Sequence, residues 1–254
     1  MKSLWPRTAV AVLLLLTASL SLAEAETAAP KGHGSQTVLC VFGPGGPYRP
    51  MQECADLFSE RKGVEIRITV GTPQQWMAAA EQQADLIFQG AEFMLNDFMR
   101  SYPNMVDEGS ITGLYARAAV ILVRKGNPKG IRKLKDLARG GIKVAVVTQE
   151  NMQEVYERVP GIHYNVVMPV LTGKEAVTAW RNKPELDAWI TYESWHAVLK
   201  DETDVVPLNA REQVFRITPI AGTRSSQHKQ LAREFVSFLQ SEESHQVFRT
   251  WGWK

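Results

Sequence analysis

Short apolar runs alternate with segments of helical period along most of this chain of 254 residues. Gln36–Pro47 (QTVLCVFGPGGP) reads as a strand ending in a Gly-rich turn, with a helix opening near Tyr48. Val64–Val70 and Asp85–Gln89 read as strands. Pro73–Gln83 reads as a helix with proline in its first turn, and Ala91–Tyr102 as a helix with Phe93, Met94 and Phe98 inward. Ile131–Arg139, Glu150–Arg158, Gly173–Asn182 and Tyr192–Lys200 are expected helices, and Lys143–Thr148 and Leu186–Thr191 expected strands. Gln227–Gln240 and Glu242–Thr250 close the chain as helices.

Strands alternating with helices predict an α/β fold with parallel sheets covered on both faces. Leu114–Arg124 (LYARAAVILVR) is too long for an ordinary strand, which suits a segment leaving one lobe for another, with Phe215–Ala221 as the return. The expected division places residues 37–116 and 217–254 in lobe 1 and residues 117–216 in lobe 2. No internal repeat is visible.

The first turn carries the first hint of chemistry. Gly43, Gly45 and Gly46 allow positive φ and close approach of backbone to a ligand, and a helix N-terminus offers unpaired donors to an anion. The turn lacks the Lys-Ser/Thr of a P-loop and the spacing of a dinucleotide fingerprint. Taken alone, it suits a purely structural role equally well.

Residues 1–25 have the order of a secretory signal: Lys2 and Arg7, the apolar core Ala9–Leu16, then small residues with two acceptable cleavage sites before Glu26. That core is shorter than the roughly 20 residues a membrane span needs. Residues 26–36 (ETAAPKGHGSQ) are expected to form a loose tail, and the mature product an exported, soluble protein. The chain holds 29 basic and 27 acidic residues; without Lys2, Arg7 and Glu24, 27 and 26 remain. That balance gives no support for nucleic-acid or membrane-surface binding. The five His are scattered, so no metal or other cofactor is expected. Cys40, in the first strand, and Cys54, in the first helix, are a possible disulfide worth about 3 kcal/mol; two separate buried thiols are the open alternative.

Four stretches carry a likeness to a known family: VFGPGGP at 41–47, ADLIFQGAE at 84–92, LYARAAVILVRKGNPKGI at 114–131 and LDAWITYESW at 186–195. The closing QVFRTWGW at 246–253 is also similar. In these the chain resembles the type 2 periplasmic solute-binding proteins, in the branch of the accessory colonization factor AcfC and related molybdate- or sulfate-type binders. The resemblance implies two Rossmann-like lobes joined by a two-crossing hinge, closing on a small anion.

Carried over by position, the implied ligand-binding loops are Gly43–Pro47 (with Gly45 and Gly46 as donors), Gly90-Ala91-Glu92, Thr148-Gln149 and Thr191-Tyr192-Glu193. Arg117, on the crossing strand, is implied as an anion partner; a structural ion pair between lobes is the open alternative for it. Gln75 and Trp76 are weaker candidates. One departure from the family pattern stands out: the third loop is shortened, and Glu150 follows Thr148-Gln149 where more hydroxyl donors are expected. The implied role is capture of a small anionic ligand (oxyanion, carboxylate or phosphorylated acid) in the periplasm for an ABC-type permease, as a monomer or homodimer. A surface or secreted adhesin on the same fold is the alternative. An enzyme is not expected, since G-x-S-x-G, H-E-x-x-H and any Cys–His pairing in context are missing.

Overall fold

The computed structural model describes residues 37–254, so the expected signal peptide and tail lie outside the described residues. The chain begins with β1 (Val38–Gly43), α1 (Tyr48–Lys62), β2 (Glu65–Val70), α2 (Pro73–Gln83), β3 (Leu86–Phe88) and α3 (Glu92–Ser101). Thirteen-residue β4 (Thr112–Arg124) follows. Next come β5 (Val144–Val147), α4 (Gln153–Tyr156), β6 (Val166–Val170), α5 (Gly173–Asn182), β7 (Ala188–Tyr192), α6 (Ser194–Val198) and β8 (Thr203–Pro207). Finally β9 (Phe215–Gly222), α7 (Lys229–Leu239) and α8 (Glu242–Thr250) complete it.

All nine strands join one sheet in the order β2-β1-β3-β9-β4-β7-β5-β6, with β8 beside β4. The expectation of purely parallel sheets is corrected. β1, β2 and β3 are parallel, as are β7, β5 and β6, but β9 runs antiparallel to both β3 and β4, and β4 antiparallel to β7 and β8. The reason lies in β4. Its residues up to Ala118 pair with β9, and those from Ala119 on pair with β7, so one long strand is shared by two sheet halves and β9 returns beside it. β6 and β8 were not expected from the apolar pattern. β6 alternates half-buried with exposed residues and contains Pro169, which suits its edge position.

Period-two alternation builds four cores. On β1, Leu39 and Val41 face α1, α7 and α8, where they meet Met51, Cys54, Phe58 and Phe235. Cys40 and Phe42 face the other way, toward Trp76 of α2 and Phe98 of α3. On β4, Ile121 and Val123 pack with Leu134 and Ile162, while Val120 and Leu122 meet Trp180 and Trp189. This alternation overturns the proposed disulfide: Cys40 and Cys54 are both buried, both free, and lie in cores on opposite faces of β1.

Three expected helices are shorter than their periods suggested; in 192–200 only Ser194–Val198 is helical, since Tyr192 ends β7. Residues 131–139 hold only a 3-10 segment at Leu134–Ala138. In 150–158 the α-helix is confined to Gln153–Tyr156, because Asn151 adopts a left-handed φ of 49° that ends the preceding 3-10 turn.

Candidate functional site

The place where β4 changes partners is also where the sequence-predicted residues meet. Arg117 lies directly opposite Arg216 in the β4–β9 register, so both side chains rise from one face of the sheet. Arg117 is 3% exposed. Its guanidinium lies 4.0 Å from the Tyr192 ring centroid and 5.5 Å from that of Trp253, and it donates to the Gly90 carbonyl. Nε has no hydrogen-bond partner, and no carboxylate among the described residues lies within ion-pair distance. Burial pushes its pKa down, opposed by Tyr192, Glu150 and Glu92. A buried cation of this kind carries a large desolvation cost unless counter-charge reaches it.

Gly46 and Gly90 make room for that cation. A Cβ on Gly46 would stand 3.3 Å from Arg117 Nη1, and one on Gly90 would stand 3.1 Å from Nη2. None of Gly43, Gly45 and Gly46 has positive φ, so the expected conformational role is replaced by a steric one. Gly43 admits Phe88, whose backbone and ring would lie 2.6 Å from a Cβ there. Gly45 is exposed and faces open space. Helices α1 and α3, which start at these two loops, have no side-chain cap at their N-termini.

Across from these loops stands the turn after β5. Glu150 is buried and accepts from Thr191 Oγ1 and Trp195 Nε1, each at 2.6 Å, while the Tyr192 hydroxyl donates to its main-chain carbonyl at 3.3 Å. Burial pushes the Glu150 carboxyl up from its ordinary value, opposed by Arg117 and by the two hydrogen bonds. Thr191 and Tyr192 are thus committed to Glu150 and Arg117. Thr148 Oγ1 donates to the Val170 carbonyl at 3.2 Å. The Glu92 carboxylate accepts from Ile217 N at 3.0 Å instead of capping its own helix. Gln75 Oε1 accepts from Thr72 N at 2.8 Å, closing the start of α2.

Beside this cluster lies a cavity of about 480 Å³. Pro44, Gln89, Phe93 and Trp76 line it from the first sheet half, and Thr148, Gln149 and Asn151 from the second. Gln89 is 3% exposed and its Nε2 has no partner, which leaves a buried donor at the wall. The structure therefore gathers Gly46, Gly90 and Tyr192 around Arg117 and joins Thr191 and Tyr192 to Glu150, and sets Thr148 and Gln149 on the cavity. Gly45 and the Glu92 carboxylate point elsewhere. Gln89 and Arg216 were missed. Gln89 sits inside the quoted ADLIFQGAE stretch, whereas Arg216 gains meaning only from strand register. No group of three His, Cys, Asp or Glu among the described residues is placed to hold a metal ion.

A family model for bacterial extracellular solute-binding proteins matches residues 39–254. The chain belongs to that family. Among solved structures, this solute-binding protein is similar to Peb3 from Campylobacter jejuni at 25% identity and a TM-score of 0.74, over 85% of this chain and 99% of that one. The L-phospholactate-bound form of PEB3 matches over the same shares at 24% and 0.75. The sulfate-binding protein SubI from Mycobacterium tuberculosis H37Rv matches at 19% and 0.71, over 86% of each chain. At such identities the likeness carries the fold, which is the type 2 periplasmic binding fold the resemblance implied. No curated protein sequence matches the chain.

Proposed function

We propose that this solute-binding protein captures a small anion in a cleft between two lobes, residues 37–116 with 217–254 and residues 117–216, and delivers it to an ABC-type permease from the periplasm. One observation carries the reading: Arg117 is buried between Gly46 and Gly90 with an unpartnered Nε and no ion-paired carboxylate. A charge so placed favours an anionic guest that shares its desolvated surroundings. The uncapped start of α3 and the free Gln89 side-chain amide add donors.

Glu150 argues about the kind of anion. A buried carboxyl near the cation adds a hydrogen-bonding group to its surroundings and favours a ligand that brings its own hydroxyl or carbon skeleton over a bare oxyanion. Phosphorylated acids and hydroxycarboxylates fit this description. The neighbours' bound species, sulfate for SubI and L-phospholactate for PEB3, span both kinds.

Thermal unfolding in the presence of sulfate, molybdate, phosphate, small carboxylates and L-phospholactate tests the reading. At least one anion is expected to raise the melting temperature with concentration, following RT ln(1 + [L]/Kd). Arg117→Met should abolish the rise while the protein remains folded. A folded wild-type protein that responds to none of these anions would refute the reading.

A further inference from the structure

We propose that Arg216 is a second anion-recognition residue, that it selects ligands with two anionic groups, and that Glu154 is the exchangeable counter-ion it holds until such a ligand displaces it. This rests on the anion-capture reading above. It goes further in naming the residue that sets ligand valence.

The register is the first ground. Arg117 and Arg216 are direct cross-strand partners on one sheet face, an arrangement that is unfavourable for like charges unless negative charge lies between or beside them. The second ground is how the surrounding acids are used. Three carboxyl groups stand near the two arginines, and two of them are engaged elsewhere. Glu150 is buried and held by Thr191 and Trp195, and Glu92 accepts from the Ile217 amide. Glu154, from α4, is the one that pairs with Arg216. Its side chain is 39% exposed, against 23% for Arg216. The carboxylate side of this pair is open to solvent, so an anion better matched to the Arg216 fork can take its place.

The third ground is proximity to the cavity. The Arg216 guanidinium lies 5.7 Å from the centroid of Phe93, and Phe93 lines the cavity. Arg216 Nε is buried and has no partner, so a donor stays free even with Glu154 in place. Glu154 itself belongs to a four-residue helix anchored by buried Val155, and its carboxylate reaches back to β9 across the junction of the sheet halves. A ligand with one anionic group uses Arg117. A ligand with two, separated by a short carbon chain, places its second group on Arg216 and sends the Glu154 carboxylate to solvent.

Calorimetric titration with inorganic phosphate, phosphoglycolate and phospholactate tests this on the wild-type protein and on Arg216→Gln, Arg216→Lys and Glu154→Gln. The wild type is expected to bind at least one phosphorylated acid about tenfold more tightly than phosphate. Arg216→Gln should erase most of that ratio, and Arg216→Lys should keep part of it because it retains charge but loses the fork. Glu154→Gln should raise the ratio about threefold by removing the competitor. Melting curves verify folding; should Arg216→Gln fail to fold, the other two variants still decide. Equal affinities for phosphate and both acids in the wild type would overturn this proposal while leaving anion capture intact. An unchanged ratio in Arg216→Gln, or a lowered one in Glu154→Gln, would overturn it too. No binding of any of the three by a folded wild type would remove both readings.

Discussion

A Cβ placed on Gly46 falls 3.3 Å from the Arg117 guanidinium, whereas one on Gly45 meets nothing within 4 Å. These adjacent glycines therefore predict opposite outcomes. Gly46→Val should cost about 1–3 kcal/mol through crowding and should also weaken anion binding, because the guanidinium must move. Gly45→Val should stay within about 0.5 kcal/mol. Chemical denaturation with parallel anion titration separates the two, and equal losses would show that the turn responds as a unit. Glu150 makes a second residue-scale prediction. Its carboxyl pKa is raised in the folded protein, chiefly by burial, so the folded state binds that proton more tightly than the unfolded state. The contribution of this group is thus most favourable below the unfolded value near 4.3 and is lost as pH rises toward the folded value. Glu150→Gln removes the titration. The melting temperature of the variant relative to wild type should therefore improve as pH rises above about 4. A relative melting temperature that falls over that range would mean that the ionised carboxylate is the stabilised form, with Arg117 outweighing burial.

At the scale of elements, strand β1 shows what local pattern can and cannot reveal. Its alternation sends Leu39 and Val41 to the core under α1 and sends Cys40 to the core under α2 and α3. Reducing agent should therefore leave the melting temperature unchanged, and a thiol count on unfolded protein should find both cysteines free; a drop of several degrees on reduction would indicate the bridge after all. That outcome was readable from period two alone, once Leu39 and Val41 are taken as facing the helix that carries Cys54. Other elements were legible for equally local reasons. Proline at the start of α2, Gly63 in the left-handed conformation closing α1, and the apolar stripe of α7 all write their boundaries into nearby residues. The length of β4 pointed to a shared strand. What local pattern does not carry is pairing. The antiparallel insertion of β9 between β3 and β4 and the meeting of Arg117 with Arg216 are set by residues about a hundred positions or more apart in the chain, and edge strand β6 pairs with β5 across about twenty. The likeness to the family brought most of the site loops within reach. It did not bring Arg216, because Arg216 lies outside the four stretches and the closing segment that carry the likeness.

For the whole molecule, the last described residues hold the two sheet halves to one another. Lys254 N donates to the Ala116 carbonyl at 2.8 Å, and its side chain pairs with Glu193 at 2.6 Å, next to α6. Trp253 is buried among Phe248 and the first-half core, donates from Nε1 to Thr218 Oγ1 at 2.9 Å, and has the Arg117 guanidinium over its ring. Gly252 sits at φ 87°, with Ser194 so near that a Cβ would stand 3.0 Å from its Cα. Three substitutions rank the contributions. Trp253→Ala should cost about 3–5 kcal/mol, since it empties a core position and leaves Thr218 without its donor. Gly252→Ala should cost about 1–3 kcal/mol from left-handed backbone and crowding combined. Lys254→Ala should cost no more than about 1 kcal/mol, because it removes only a half-exposed ion pair and keeps the main-chain bond. Of the three, Trp253→Ala should also weaken anion binding beyond its effect on folding, because Arg117 loses one of the two rings that fix its position. If Lys254→Ala instead proves the most damaging, the halves are joined by charge at the rim rather than by packing beneath it, and the buried arginine is held by something other than its aromatic neighbours.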